Sequence, residues 1–514
     1  MHRNVTLGLL LATLIALVLR CPDLSVRPMH NDEAVNAIKL QSLLGQGSYR
    51  YDPNEHHGPA LYYAAFAWMN ISGVTESAQL SEARLRVMTV LFGLGLILLL
   101  PLVADGLGRG AMIWSAILIA VSPAMVFYSR YFIHEMLLVF FTFLALAAFW
   151  RHYRSGKIYW AILCGVSAGL MQSTKETFVL SVGAAGVALL LNKLWTHSGD
   201  AASAKPRKAF KPVALCLLAW CIVAVVFFSS FFTNAGGVLD SIRTYLPWLD
   251  RAAGNSPHIH PWNFYLSRLA WFHVQGGPVW SEGFILALAV IGVFVAFTGR
   301  GRTGAKQNFL RFVALYTLTL TLLYSSIAYK TPWCLLNFWH GAILLAGTGA
   351  VAMWRLAKHR WMKIVVGLLL FAGTDHLAFQ AWQAGGNYSA DRRNPYVYAQ
   401  TSPDIFGLIE KVNALAQASP QRLHLSMSVS VPENDYWPLP YYLRAFDQVG
   451  WLNELPGESL APVMIVSTQF TVKMDERKSH LAAGLFELRP GVFLALYVEP
   501  ELWQVYLKSK PSGQ

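Results

Sequence analysis

Apolar runs of roughly 17–22 residues recur from the start of the chain to about residue 382, each long enough to cross the hydrocarbon of a bilayer. They fall at about 4–20, 85–104, 110–128, 135–150, 158–173, 177–193, 213–232, 281–298, 310–328, 334–353 and 362–382, which predicts about eleven transmembrane helices. Beyond them the texture changes. SPDIFGLIEKVNALAQAS carries helical spacing after a Ser/Pro start, RLHLSMSVSV alternates like a half-buried strand, and PVMIVST and GVFLALYV read as buried strands. The expected architecture is a polytopic α-helical membrane domain over residues 1–383, with a first external loop at 21–84. A C-terminal α/β domain follows over 384–514, near the usual domain size.

Composition agrees with this pattern. Of 514 residues 55% are hydrophobic and 13% charged, the latter about half the share in soluble chains. The 18 Trp, 21 Tyr and 29 Phe suit rings placed at bilayer interfaces. No small-residue cleavage site follows the first apolar run, whose flank is LVLRCPDLSVRP, so it reads as a retained first helix. Cys21, Cys164, Cys216, Cys221 and Cys334 show no paired spacing and read as small core residues.

The net charge of +13 changes meaning once its distribution is followed. Arg109, RHYRSGK (151–157), the lysines and arginines of 193–211, GRGRTGAKQNFLR (299–311) and Arg355 to Lys363 all fall on one side of an eleven-span chain. The positive-inside rule makes that side the cytoplasm, with the N-terminus there. The charge is thus an orientation signal and not a nucleic-acid footprint. WTHSGDAASAKPRKAFKP (195–212) reads as a flexible cytoplasmic linker. The opposite, extracytoplasmic face receives the 21–84 loop, the turns SRYFIHE, STKET and YKTPW, the 233–280 loop and the tail.

Charged side chains at helix mouths are costly in a membrane and mark functional positions. On the outer face stand Asp32 and Glu33 with His30 beside them, Arg130, His134 and Glu135, Lys175 and Glu176, and Lys330. The loops holding Arg130, Lys175 and Lys330 are too short to leave the surface, so these cations lie at the level of lipid phosphates. There they would offset the charge of a phosphate leaving group. An opposed carboxylate would take the proton of an incoming hydroxyl, and a divalent ion held by imidazole and carboxylate, as from His134 and Glu135, is a candidate cofactor. The arrangement describes sugar transfer from a lipid phosphate. No Walker-type or G-x-G-x-x-G loop occurs, so no nucleotide cofactor is expected.

Structural roles compete with these. Asp32 and Glu33 suit the N-terminus of the helix EAVNAIKLQSLL, Arg130 and Glu135 suit an ion pair between helices, and Lys330 suits a snorkelling lysine. His258-Ile259-His260 has metal-like spacing but no neighbouring acids. The rings of DYWPLPYYLR, Tyr436 and Trp437 among them, would stack on a sugar or lipid, or pack the tail onto the membrane domain.

An Asp-Glu pair just after the first membrane helix, in a long external loop, resembles the GT-C membrane glycosyltransferases, of the dolichyl-phosphate-mannose protein mannosyltransferase-like and aminoarabinose-transferase-like groups. YDPNEHHGPAL (51–61) is similar to the F-D-x-H-P-P-L segment of the mannosyltransferases, with Gly58 and Ala60 departing from it. SRYFIHE (129–135) is similar to their S-R-x-x-x-x-D turn, with Glu135 in place of Asp. HNDEAVNAIK, YRYDPNEHHGPALYY and DYWPLPYYLR together look closest to a branch associated with flippase activity in archaeal-type N-glycosylation. The resemblance implies a family-39-like hexosyl- or pentosyltransferase of the cell membrane. It would move sugar by inversion from a polyprenyl-phosphate donor to a protein, lipid or glycan acceptor. It also implies Asp32 as general base, Glu33 in support, and Arg130, Lys175 and Lys330 on the donor phosphate. His30, one of His56 and His57, Glu176, Tyr436 and Trp437 are expected to bind or support substrate. The rival readings are a flippase or transporter of lipid-linked glycans and a non-catalytic assembly factor. Broken helices in paired repeats would mark a transporter, and none is evident.

Overall fold

A computed structural model of the chain describes residues 3–54, 57–197, 210–252, 258–300, 303–457 and 459–509. Most of the 195–212 linker lies outside them, as does His56. Among the described residues eight helices are long and apolar enough to span a membrane. A ninth arises if Arg109–Val121 and Pro123–Ser129, bent by 59°, form one span. The expectation of eleven counts in addition the shorter apolar helices Ile158–Gln172 and Gly283–Thr298. The chain is an integral multi-pass membrane protein.

The bend has a clear cause. Pro123 removes a backbone donor, and Ser122 caps the new helix through Met125 N–H. The orphaned carbonyls of the preceding helix are taken up by Arg20, whose guanidinium donates to Ile119 O at 2.7 Å and Ala120 O at 2.8 Å. An arginine at the end of the first helix Arg3–Arg20 thereby closes the end of another.

In lipid there is little hydrophobic force between helices, so close backbone approach through small residues carries much of the packing. Gly283–Thr298 and Leu336–Leu356 cross this way. A Cβ on Gly292 would overlap the Leu345 carbonyl, and one on Gly349 would overlap the Leu288 carbonyl. The Leu336–Leu356 helix is buried on nearly every side up to Ala352.

Helix Arg360–Gly385 leaves the membrane domain, and the chain from Tyr396 to Thr401 runs under the first loop. Gln400 and Thr401 donate to the carbonyls of Pro28 and Met29 at 3.0 and 2.7 Å. The C-terminal domain follows. Strands β1 (Met427–Ser430), β2 (Val449–Leu452), β3 (Val463–Ser467), β4 (Leu481–Arg489) and β5 (Val492–Val498) form one sheet in the order β2-β1-β3-β5-β4. The β1, β2 and β3 pairings are parallel, while β5 runs antiparallel to both β3 and β4. Helices Ile405–Ala418 and Pro500–Ser509 cover one face, burying Leu408, Val412, Leu415 and Tyr506 against Val429, Ile465 and Leu496.

Replacing Gly349 or Gly292 with Leu is expected to cost at least 1–3 kcal/mol through overpacking against backbone. Gly186→Leu, where a Cβ meets nothing within 4 Å, should leave the melting temperature in detergent unchanged. Equal behaviour of the three variants would refute this helix crossing.

Candidate active site

The two adjacent acids have different surroundings. Asp32 and Glu33 open the helix Asn31–Gln46, where neighbours point about 100° apart around the axis. Glu33 turns inward and is fully buried. Arg86 Nε and Nη2 donate to its two oxygens at 2.8 and 2.7 Å. Arg27 Nη2 approaches both at 3.2 and 3.3 Å, Phe132 N–H donates at 2.9 Å and His30 N–H at 3.0 Å. Burial alone would raise this carboxyl, but the Arg86 and Arg27 guanidinium groups outweigh it and hold it down to about 2. Glu33 thus ties the first loop, the start of the Glu82–Leu99 helix and the turn after Arg130 into one knot.

Asp32 turns the other way. Its side chain keeps 46% of its exposure and lines a cavity of about 460 Å3. Among the described residues no lysine or arginine pairs with it. Its backbone N–H donates to His30 Nδ1 at 3.1 Å. His30 Nε2 lies 3.1 Å from the Tyr398 carbonyl. A carbonyl only accepts, so this places the ring proton on Nε2 and leaves Nδ1 free to cap the helix. His30 therefore supports Asp32 from behind and does not line the cavity.

Asn36 and Lys39 stand four and seven residues after Asp32, on the same helix face, and both line the cavity. Asn36 is fixed between Tyr62 O–H and the Phe132 carbonyl, each at 3.0 Å. Lys39 is partly exposed and makes no ion pair among the described residues. His57, His134, Glu135 and the rings of Trp248, Tyr329, Trp333 and Trp437 complete the walls. Lys39 was absent from the expected site, although the 32–36–39 spacing on a helix is its signal.

The segment carrying His57 lies on the turn after the Ile158–Gln172 helix, with Ala60 N–H donating to the Ser173 carbonyl at 2.8 Å. A Cβ at residue 58 would collide with that carbonyl, which accounts for Gly58. His57 Nδ1 then meets Glu176 Oε2 at 2.8 Å, and its ring stacks on Trp248 at 5.0 Å. Glu176 holds His57 and does not itself line the cavity.

The three cations expected at a donor phosphate lie elsewhere. Arg130 donates to the carbonyls of Leu19 and Asp23 and borders a separate recess with Arg27 and Arg86. Lys175 is buried against Glu135, and Lys330 is spent on the carbonyls of His260 and Ile327. Each satisfies groups that lipid would leave unpaired. Tyr436 packs on Trp451 of β2 at 4.7 Å, while its neighbour Trp437 reaches the cavity. His258 and His260 converge on the Tyr398 hydroxyl at 2.7 and 3.0 Å. Of the residues expected to hold a metal, Glu135 is engaged by Lys175 and His134 Nε2 lies 3.2 Å from the Gly58 carbonyl. Among the described residues no three His, Cys, Asp or Glu side chains gather as a ligand set. As placed they do not fit a metal.

The fold has counterparts among solved structures. ArnT from Cupriavidus metallidurans, bound to undecaprenyl phosphate, matches with a TM-score of 0.62 at 14% identity, over 95% of this chain and 97% of that one. The Archaeoglobus fulgidus oligosaccharyltransferase in its apo form matches with a TM-score of 0.56 at 12% identity. That match takes in 88% of this chain and 64% of the archaeal one. The archaeal oligosaccharyltransferase AglB from Archaeoglobus fulgidus, in complex with an inhibitory peptide and a dolichol-phosphate, gives 0.55 at 11%, over 91% and 70%. Residues 60–234 match the family model of the dolichyl-phosphate-mannose-protein mannosyltransferases. Nothing among curated protein sequences matches the chain. The chain carries the GT-C fold of the membrane glycosyltransferases.

Glu33→Gln is expected to cost about 3–5 kcal/mol, because it strands two buried guanidinium charges. The native carboxyl lies below its unfolded value of 4.5, so unfolding takes up a proton. Its stabilisation is complete above that value and fades as pH falls toward about 2. Melting curves between pH 7 and 3 should therefore fall less steeply for Glu33→Gln than for wild type, and parallel curves would rule the knot out.

Proposed function

We propose that the chain moves a sugar, a hexose or a pentose, from a polyprenyl-phosphate donor to an extracytoplasmic protein, lipid or glycan acceptor. On this reading the N-terminus is cytoplasmic, residues 1–383 hold the donor, and residues 384–514 form the domain outside. The observation that supports it most is the split between the neighbouring acids, with Glu33 locked between two guanidinium groups and Asp32 facing a cavity of sugar-binding size with no lysine or arginine partner among the described residues. The matched structures described with undecaprenyl phosphate and dolichol-phosphate agree with a lipid-phosphate donor.

Asp32 takes the proton of the acceptor hydroxyl. The acceptor oxygen attacks the anomeric carbon from the face opposite the phosphate, and the bond to phosphate breaks with its electron pair leaving on the phosphate oxygen. One displacement inverts the anomeric centre. Asp32 stands in the first turn of its helix, at the positive end of the helix dipole. Lys39 lies roughly 10 Å further along the same helix, a span that admits a sugar ring between base and leaving group. We assign it the phosphate charge in place of Arg130, Lys175 and Lys330. Trp248, Trp333 and Trp437 supply faces for the sugar. His57 and His134 supply polar contacts at the rim.

The test is transfer by the full chain in lipid vesicles, supplied with radiolabelled polyprenyl-phosphate sugars and an envelope acceptor extract. Asp32→Asn is expected to lower turnover by about 10²–10⁴-fold and Lys39→Ala by roughly 10²-fold, both with unchanged melting temperature. Transfer that survives Asp32→Asn removes Asp32 as base. Wild-type movement of lipid-linked sugar across the vesicle without transfer to any acceptor would put the flippase reading first.

A further inference from the structure

A second, larger cavity lies far from Asp32. It measures about 920 Å3 and is lined by four helices, with Leu11 and Ile15 from Arg3–Arg20, Trp114 and Ile117 from Arg109–Val121, Trp354 from Leu336–Leu356, and Leu370 and Phe371 from Arg360–Gly385. Its position follows from one helix. Leu336–Leu356 starts beside Trp333 of the Asp32 cavity and ends at Trp354 and Arg355 of this groove, about 30 Å away along the axis. The groove therefore opens at the other membrane boundary, where the basic loops lie.

Its walls change character along their length. Arg355 and Lys363 line one end, both exposed. Among the described residues neither makes an ion pair. Trp114 and Trp354 stand near that end, and the rest is apolar up to Thr374. From Lys363 to Thr374 the helix rises about 16 Å, half of a hydrocarbon core roughly 30 Å thick. One side of the floor is Gly367, where a Cβ would meet only Trp354 Cζ3 at 3.5 Å, so the absent side chain leaves open volume. An apolar slot one leaflet deep, ending in two unpaired cations at headgroup level, matches a lipid with an anionic head.

We propose that this groove binds an anionic phospholipid of the leaflet opposite the Asp32 cavity. The headgroup phosphate sits between Arg355 and Lys363, and an acyl chain lies along Trp114, Ile117, Leu370 and Phe371. The site does not depend on the transfer reaction and places a lipid contact on four helices of the membrane domain.

Full-length protein, delipidated in detergent, would be titrated with phosphatidylglycerol or phosphatidylcholine and read by native mass spectrometry. Wild type is expected to hold phosphatidylglycerol at least tenfold more tightly. Arg355→Ala with Lys363→Ala should abolish that preference, whereas Lys157→Ala with Arg300→Ala, removing equal charge elsewhere, should keep it. Gly367→Leu fills the slot with both cations intact and should weaken both lipids. Equal binding of the two lipids by wild type overturns the proposal, as does equal loss in the control double variant. Undiminished binding by Gly367→Leu would place the lipid on the surface and overturn the groove.

Discussion

The structure turns on one buried carboxylate. Glu33 receives donors from Arg86, Arg27, Phe132 and His30, and these come from the first loop, the second long helix and the turn after Arg130. Taking an ion pair out of water is expensive, and only near-complete hydrogen bonding offsets it. Nearly every donor direction around Glu33 is filled. Arg27 also donates to the Arg130 carbonyl at 2.7 Å and lies over the Tyr131 ring at 3.7 Å, so the knot is held from both sides. Because Glu33 is fixed, the first turn of its helix is fixed, and so is the direction in which Asp32 points.

The same economy explains where the other charges went. Next to hydrocarbon, a lysine or arginine is retained where it closes a helix end, pairs an acid or reaches the interface. Arg20 and Lys330 close helix ends, Lys175 pairs Glu135, and Arg130 holds the carbonyls of Leu19 at a helix end and of Asp23 in the loop. Among the described charges with no such structural partner are Asp32 and Lys39, which line one cavity, and Arg355 and Lys363, which line the other. Structural demand sorts the charges before chemistry does.

That sorting marks the limit of what could be read from residue order. Apolar runs and basic loops were legible because bilayer thickness and positive-inside bias act on local composition. The strands in RLHLSMSVSV, PVMIVST and GVFLALYV correspond to β1, β3 and β5. β2 and β4 escaped because VGWL is a short edge strand and LAAGLFELR is a half-buried edge strand with two register shifts. The Asp-Glu pair was visible as a site, but adjacency conceals which acid faces in. Arg27 and Arg86 look like ordinary flanks of apolar runs until the fold brings them to Glu33. Lys39 sits in a stretch that reads as a solvated amphipathic helix, and that face becomes a cavity wall through residues distant in sequence, among them His57, Trp248, Trp333 and Trp437.

Trp437 also decides how the C-terminal sheet domain relates to the membrane domain. The tail does more than cap the bundle from outside. Tyr398 sets the proton on His30, Tyr442 O–H accepts from Met29 N–H at 2.9 Å, and Trp437 stands in the wall facing Asp32. Each contact reaches the first long loop within a few residues of the acid pair. The tail therefore supplies a wall of the cavity and partners for the first loop, while Tyr396 and Gln400 tie the same segment to Glu282 and Tyr131 of the membrane domain. A cavity assembled from both ends of the chain exists only when the whole chain is folded, so the geometry around Asp32 is itself a report on tail docking.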